Sequence, residues 1–150
     1  MSSLIRFLQL RFLPHSQDFG LLVLRLWFGG SLLALHGWAK ITNFEETSKN
    51  FPNIFEGIID LSPTVNLAMA ASAEALGAAF VILGLFARLS AVACAFTMAM
   101  GFFIAHKGVL SGPGSGEMAF LYMGAFLVIF LAGPGRFSLD AVIGRGGNTR

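Results

Sequence analysis

Four long apolar runs, roughly 19–39, 65–86, 89–106 and 118–134, are set apart along the chain by short stretches in which polar residues, glycine and proline collect. Each run is near the length of about 20 residues that a helix needs to cross the hydrocarbon core of a bilayer. None shows the strict apolar–polar alternation of a barrel strand, and in lipid helices and closed barrels are the structures that satisfy every backbone group. The pattern therefore predicts an all-α fold, a transmembrane four-helix bundle with short interfacial helices.

Two further helices are expected outside the spans. Residues 1–17, with Arg6 and Arg11 beside an apolar face, form an N-terminal interfacial segment ended near Pro14. The connection 41–63 carries Phe51, Ile54, Phe55, Ile58 and Ile59 at helical spacing beside Glu56 and Asp60, the pattern of a short amphipathic helix lying on the membrane or capping the bundle. Residues 18–140 then form the membrane domain and 141–150 a tail.

Composition sharpens this picture. Of 150 residues, 55% are hydrophobic and 12% charged, with 16 Phe and 18 Gly, too apolar for a water-soluble domain of this size. Mean hydropathy is +0.74. The net charge of +2 comes from scattered basic residues, so there is no nucleic-acid footprint. Those residues set a topology instead: Arg6, Arg11, Arg88, Arg136, Arg145 and Arg150 fall on one side and Lys40, Lys49 and Lys107 on the other. Both termini are accordingly expected in the cytoplasm, with the chain in a bacterial plasma membrane. A single cysteine, Cys94, excludes an intramolecular disulfide and a Cys-x-x-Cys redox pair, so electron chemistry would need a bound cofactor or substrate.

The candidate chemistry lies in ionisable groups inside the apolar runs, where each costs at least a few kcal/mol and should face the bundle interior. On a helix of about 100° per residue, Gly29, His36 and Lys40 all fall within about 60° of Arg25, so this stripe of the first span points inward. The second span holds one charge, Glu74, among small residues that let helices approach closely. Counting from the outer surface places His36 roughly 6 Å deep, Glu74 roughly 14 Å and Arg25 roughly 22 Å, with Glu74 in reach of one or both. His106 ends the third run and Glu117 opens the fourth at the same outer level.

Each residue also has a purely structural reading. An Arg25–Glu74 pair would lock two helices, Lys40 would snorkel to water, Glu117 would serve a helix N-terminus, the two histidines would be interfacial, and Tyr122 would pack. Jointly, the groups suit a small polar-headed ligand such as a quinone, with Glu74 and His36 handling protons and Arg25, Lys40, His106 and Glu117 contacting the ligand. Haem held by the two histidines, or a metal among them and a carboxylate, lacks the spacing of a ligand motif.

The segments "LRLWFGGSLLALHGWAKI", "EALGAAFVILGLFARLSA" and "GEMAFLYMGAFLVIFLAGPGRFSLD" resemble, in this order, the successive segments of the DoxX family of small bacterial four-helix membrane proteins. The resemblance covers nearly all of 20–140 and falls on Arg25, His36, Gly37, Lys40, Glu74, Gly84, Arg88, Glu117, Gly133, Pro134, Gly135, Ser138 and Asp140. It implies kinship with the membrane subunit of a thiosulfate:quinone oxidoreductase and with proteins linked to quinone or thiol stress, some in a membrane complex beside superoxide dismutase and a sulfurtransferase. From the residues themselves, "GPGRFSLD" is a helix stop followed by a Ser138-capped surface helix, and "GLFARLSA" a tight turn fixed by Arg88. The expectation is a quinone- or thiol-linked redox subunit working with a partner enzyme. A non-catalytic scaffold or assembly factor is the alternative, a small-molecule transporter a weaker one, and a homo-oligomer stays open.

Overall fold

The computed structural model describes residues 16–53, 55 and 59–146, the side chains of 145 and 146 excepted. The expected N-terminal helix, the end of the tail and the Ile54 and Ile58 positions lie outside these residues. Six helices are described: α1 (Gln17–Thr42), α2 (Phe44–Ser48), α3 (Pro63–Leu83), α4 (Ala87–Ala105), α5 (Glu117–Ala132) and α6 (Leu139–Gly146). Among the described residues there is no strand. Helices α1, α3 and α4 are long and apolar enough to cross a membrane, while α5 is a shorter apolar helix of 16 residues. Together they make an all-α membrane bundle whose helix ends fall within a few residues of the apolar runs.

Local chemistry sets those ends. Ser16 caps α1 by accepting from the Phe19 N–H at 3.1 Å, and Asp18 occupies the first turn. Ser62 caps α3, and Pro63 takes its first position, where a missing N–H costs nothing. The chain leaves α3 through Gly84 in the left-handed region at φ +65°, and Leu85 N–H returns to the Phe80 carbonyl at 2.9 Å. Helix α4 begins at once at Ala87, so this connection is very tight.

The core mixes small and large side chains, among them Leu32, Ala78, Val81, Ala91, Cys94, Phe126 and Ile129. Helices α1 and α3 run antiparallel in near backbone contact: a Cβ on Gly37 would stand 2.7 Å from the Glu74 carbonyl oxygen, and one on Gly29 2.9 Å from Ile82 Cγ1. These two contacts fix the register of α1 on α3. Large apolar side chains such as Trp27, Leu35, Leu76, Leu89, Phe103 and Leu131 remain exposed around the bundle, the surface of a protein whose solvent is lipid.

Only part of the 41–63 connection falls among the described residues. Its described helix is the short α2; residues 51–53 are not helical, and the Asn53 side chain accepts from Phe55 N–H at 3.0 Å in a local turn. Pro52 disfavours a helical conformation at Phe51 and has no N–H to give, while Ile59 N–H donates to the Phe55 carbonyl at 3.1 Å further on. Phe55 stacks on Phe96 of α4, with ring centroids 6.2 Å apart.

Candidate functional site

Four stretches of the long helices are wound wider than α, with i→i+5 hydrogen bonding: Arg25–Gly29 and Leu33–Gly37 in α1, Ala73–Gly77 in α3 and Gly101–Ala105 in α4. Arg25, His36 and Glu74 each lie in one, and His106 directly follows the last. Such turns are uncommon and concentrate at functional sites because they re-aim side chains within a helix.

At the Lys40 end the helices enclose a cavity of about 290 Å³. His36 and Lys40 enter it from α1, Glu74 from α3, Thr97 and Met98 from α4, His106 from the end of α4, and Tyr122 from α5, while Phe51 and Pro52 cover it from the 41–63 connection. Glu74 is buried, 3% exposed, and pairs with Lys40, whose ammonium donates to Oε2. Lysine side chains lean toward the N-terminus of their helix, which carries Lys40 inward to the carboxylate rather than outward to water. The His36 ring meets Tyr122 edge-on with centroids 5.7 Å apart. His106 Nδ1 lies 2.9 Å from the Gly114 carbonyl; an oxygen that can only accept assigns the N–H to Nδ1, which leaves Nε2 of the neutral ring as an acceptor. The walls are otherwise mostly apolar.

Of the residues singled out from sequence, His36, Lys40, Glu74 and His106 are thus brought together, and Arg25 and Glu117 are not among the lining residues. Glu117 is exposed in the first turn of α5. Arg25 stands far from Glu74 because the register puts Gly37 against Glu74, and Arg25 is twelve residues earlier, about 18 Å along the axis. Tyr122, read from sequence as packing, lines the cavity; as the single tyrosine of the chain, within an otherwise apolar run, it was the available signal.

Arg25 belongs to a second constellation at the opposite end. Its guanidinium is fully buried and donates through Nη2 to the Phe137 carbonyl, while Nε and Nη1 have no hydrogen-bond partner among the described residues. The Asp140 charge acts on it through space. The Asp140 carboxylate also accepts from the N–H groups of Phe86 and Ala87, both at 2.8 Å, capping α4, and its own N–H donates to the Gly84 carbonyl at 2.9 Å. Ser138 Oγ donates to the Gly135 carbonyl at 2.6 Å and accepts from Ala141 N–H at 3.2 Å, starting α6. Asp18 accepts from Arg136 N–H at 2.8 Å, and the Arg88 guanidinium lies against Gly133. The turn after α3 and the "GPGRFSLD" segment, read separately from sequence, are therefore one clasp closed around Arg25.

Among the described residues, no group of three or more His, Cys, Asp or Glu is placed to hold a metal ion. Cys94 is buried in the core, its thiol donating to the Ala73 carbonyl at 3.3 Å.

The fold and this site define a class: a small α-helical integral membrane protein with a mostly apolar cavity holding an ion pair at one end of its bundle and a charged clasp at the other. The DoxX family model matches residues 20–107, more than half of the chain, and the protein belongs to the DoxX family. It is 33% identical over 114 residues to a Haemophilus influenzae protein described as uncharacterized, covering 73% of this chain and 80% of that one. No solved structure matches it.

Proposed function

We propose that the cavity binds a small, mostly apolar ring with hydrogen-bonding oxygens, a quinone-type head, and that the protein is the membrane subunit of a quinone- or thiol-linked redox system. The supporting observation is the buried Glu74 carboxylate paired with a partly buried Lys40 in the wall of an otherwise apolar cavity that two histidines and a phenol also line. Pockets for small molecules have this make-up of apolar walls with a few convergent polar groups.

In this reading Glu74 and His36 exchange protons with the ring oxygens. Lys40 stabilises negative charge on a reduced ring, and Tyr122 and His106 orient it. Full reduction of a quinone to a quinol takes two electrons and two protons. The residues here handle the protons, and the electrons come from a donor subunit outside this chain.

Arg88 and Arg136 lie at the clasp end and Lys40 and Lys107 at the cavity end. We therefore place the clasp in the cytoplasm of a bacterial plasma membrane and the cavity in the outer half of the bilayer. A phosphatase reporter, active when exported, should be silent when fused after α6 and active when inserted in the 106–116 loop; the opposite pattern inverts the assignment.

The binding reading is tested by equilibrium dialysis of the detergent-purified protein against dimethoxy-methyl-benzoquinone. Saturable binding is expected, with Glu74→Gln and His36→Ala each weakening it about tenfold or more, since a hydrogen bond to a charged group is worth roughly 1.5–3 kcal/mol. No saturable binding, or two folded variants that bind like the parent, would favour the scaffold role, in which the ion pair only locks α1 to α3.

A further inference from the structure

On the lipid-facing side, α1 and α5 leave an open groove of about 680 Å³. Trp27, Ser31 and Leu35 form one wall, and Leu121, Gly124 and Val128 the other. Its surface is almost wholly apolar, and its volume is more than twice that of the cavity holding the Lys40–Glu74 pair.

Two side chains belong to both spaces: Tyr122 and Met118 line the groove and also the cavity. The Tyr122 ring is held edge-on between Phe28 on the groove side and His36 on the cavity side, with centroids 5.7 Å away in each case. One aromatic ring is thus the partition. Beside it stands Met118, 60% exposed, an unbranched side chain that adapts its shape at low cost. The cavity has room for a ring-sized head and little more, since pockets for whole drug-sized ligands start at roughly 300 Å³.

We propose that the groove holds the hydrocarbon tail of the same molecule whose head lies in the cavity, so that the ligand is a tailed, lipid-soluble ring compound reaching its site sideways from the bilayer past Tyr122. This rests on the cavity reading above and adds the ligand class. The head exchanges water for the Lys40–Glu74 wall, the tail exchanges acyl chains for the groove, and Tyr122 and Met118 mark the junction. An ordinary lipid acyl chain unconnected to any head is the competing occupant.

Gly124 permits a clean test. A Cβ added there meets nothing within 4 Å, so Gly124→Leu fills the groove without disturbing the bundle and replaces a poor helix former by a good one. Ser31→Leu fills it from the opposite wall and guards against a folding defect in the first variant. Two probes are compared on wild-type protein and each variant: dimethoxy-methyl-benzoquinone without a side chain, and its decyl homologue. Partition of the decyl probe into detergent is common to all three proteins and cancels in the ratio of affinities. The expected result is a tenfold or greater loss for the decyl probe in either variant, with the tailless ring within twofold of wild type. Unchanged binding of both probes overturns the tail assignment and leaves the cavity reading standing. Equal weakening of both probes also overturns it, because the substitutions would then act on the cavity itself. Failure of both probes to bind wild-type protein overturns the cavity reading and this inference together.

Discussion

Gly84→Ala is expected to lower the thermal midpoint of the detergent-purified protein by roughly 4–20 °C. Gly84 ends α3 in the left-handed region at φ +65°, where a side chain costs about 1–2 kcal/mol. The added methyl would also overlap Arg25 Nη1 outright and stand 2.5 Å from Ser138 Cβ, and crowding of this kind costs about 1–3 kcal/mol more. Neither neighbour can yield freely: the guanidinium is buried and tied to Phe137, and Ser138 starts α6. The sum is about 2–5 kcal/mol, concentrated on the joint where α1, the turn after α3 and the closing segment meet. Gly20→Ala is the control, because a Cβ there meets nothing within 4 Å; it should be neutral or slightly stabilising. Size-exclusion after a heating series reads both, and equal midpoints for Gly84→Ala and the parent would remove the clasp from this account.

Lys40→Met should destabilise the protein by about 3–5 kcal/mol, the cost of stripping the partner from a buried charge. Glu74 would then face mostly apolar walls as an uncompensated carboxylate. Adding Glu74→Gln should restore most of the loss, since the penalty lies in the orphaned charge and not in the missing bridge. The double variant should nonetheless fail to bind the benzoquinone ring, which separates stability from function within one experiment. A single Lys40→Met variant as stable as the parent, or a double variant no more stable than the single, would show that Glu74 is not a buried carboxylate dependent on Lys40.

The spans were legible because lipid leaves few choices: long apolar runs must be helices, and their capping residues, Ser16 and Ser62 with Pro63, lie at the expected ends. The inward face of α1 was legible too, from helical periodicity alone. What periodicity could not supply was register. Depth counting placed Glu74 between His36 and Arg25, whereas close approach at Gly37 and Gly29 slides α1 along α3 until Lys40 is the residue that reaches the carboxylate. The wide turns at Arg25–Gly29 and Leu33–Gly37 also leave no mark in the hydrophobic pattern. Sequence separation hid the clasp, since Asp140 caps a helix that begins at Ala87, and neither motif alone reveals the other. Of the helix expected through 51–59, the described residues show a non-helical start at Phe51–Asn53, where Pro52 disfavours a helical Phe51, and an Ile59 N–H bond to the Phe55 carbonyl at 3.1 Å; the rest lies outside them.

The most direct test of the Lys40–Glu74 cavity as a ligand site is an experimental density map of the protein purified in mild detergent from its own membrane. A flat, ring-sized feature is expected, bounded by His36, the Lys40–Glu74 pair and Tyr122. A cavity closed by its own side chains, or filled by nothing but water in protein that still supports its cell, would contradict it.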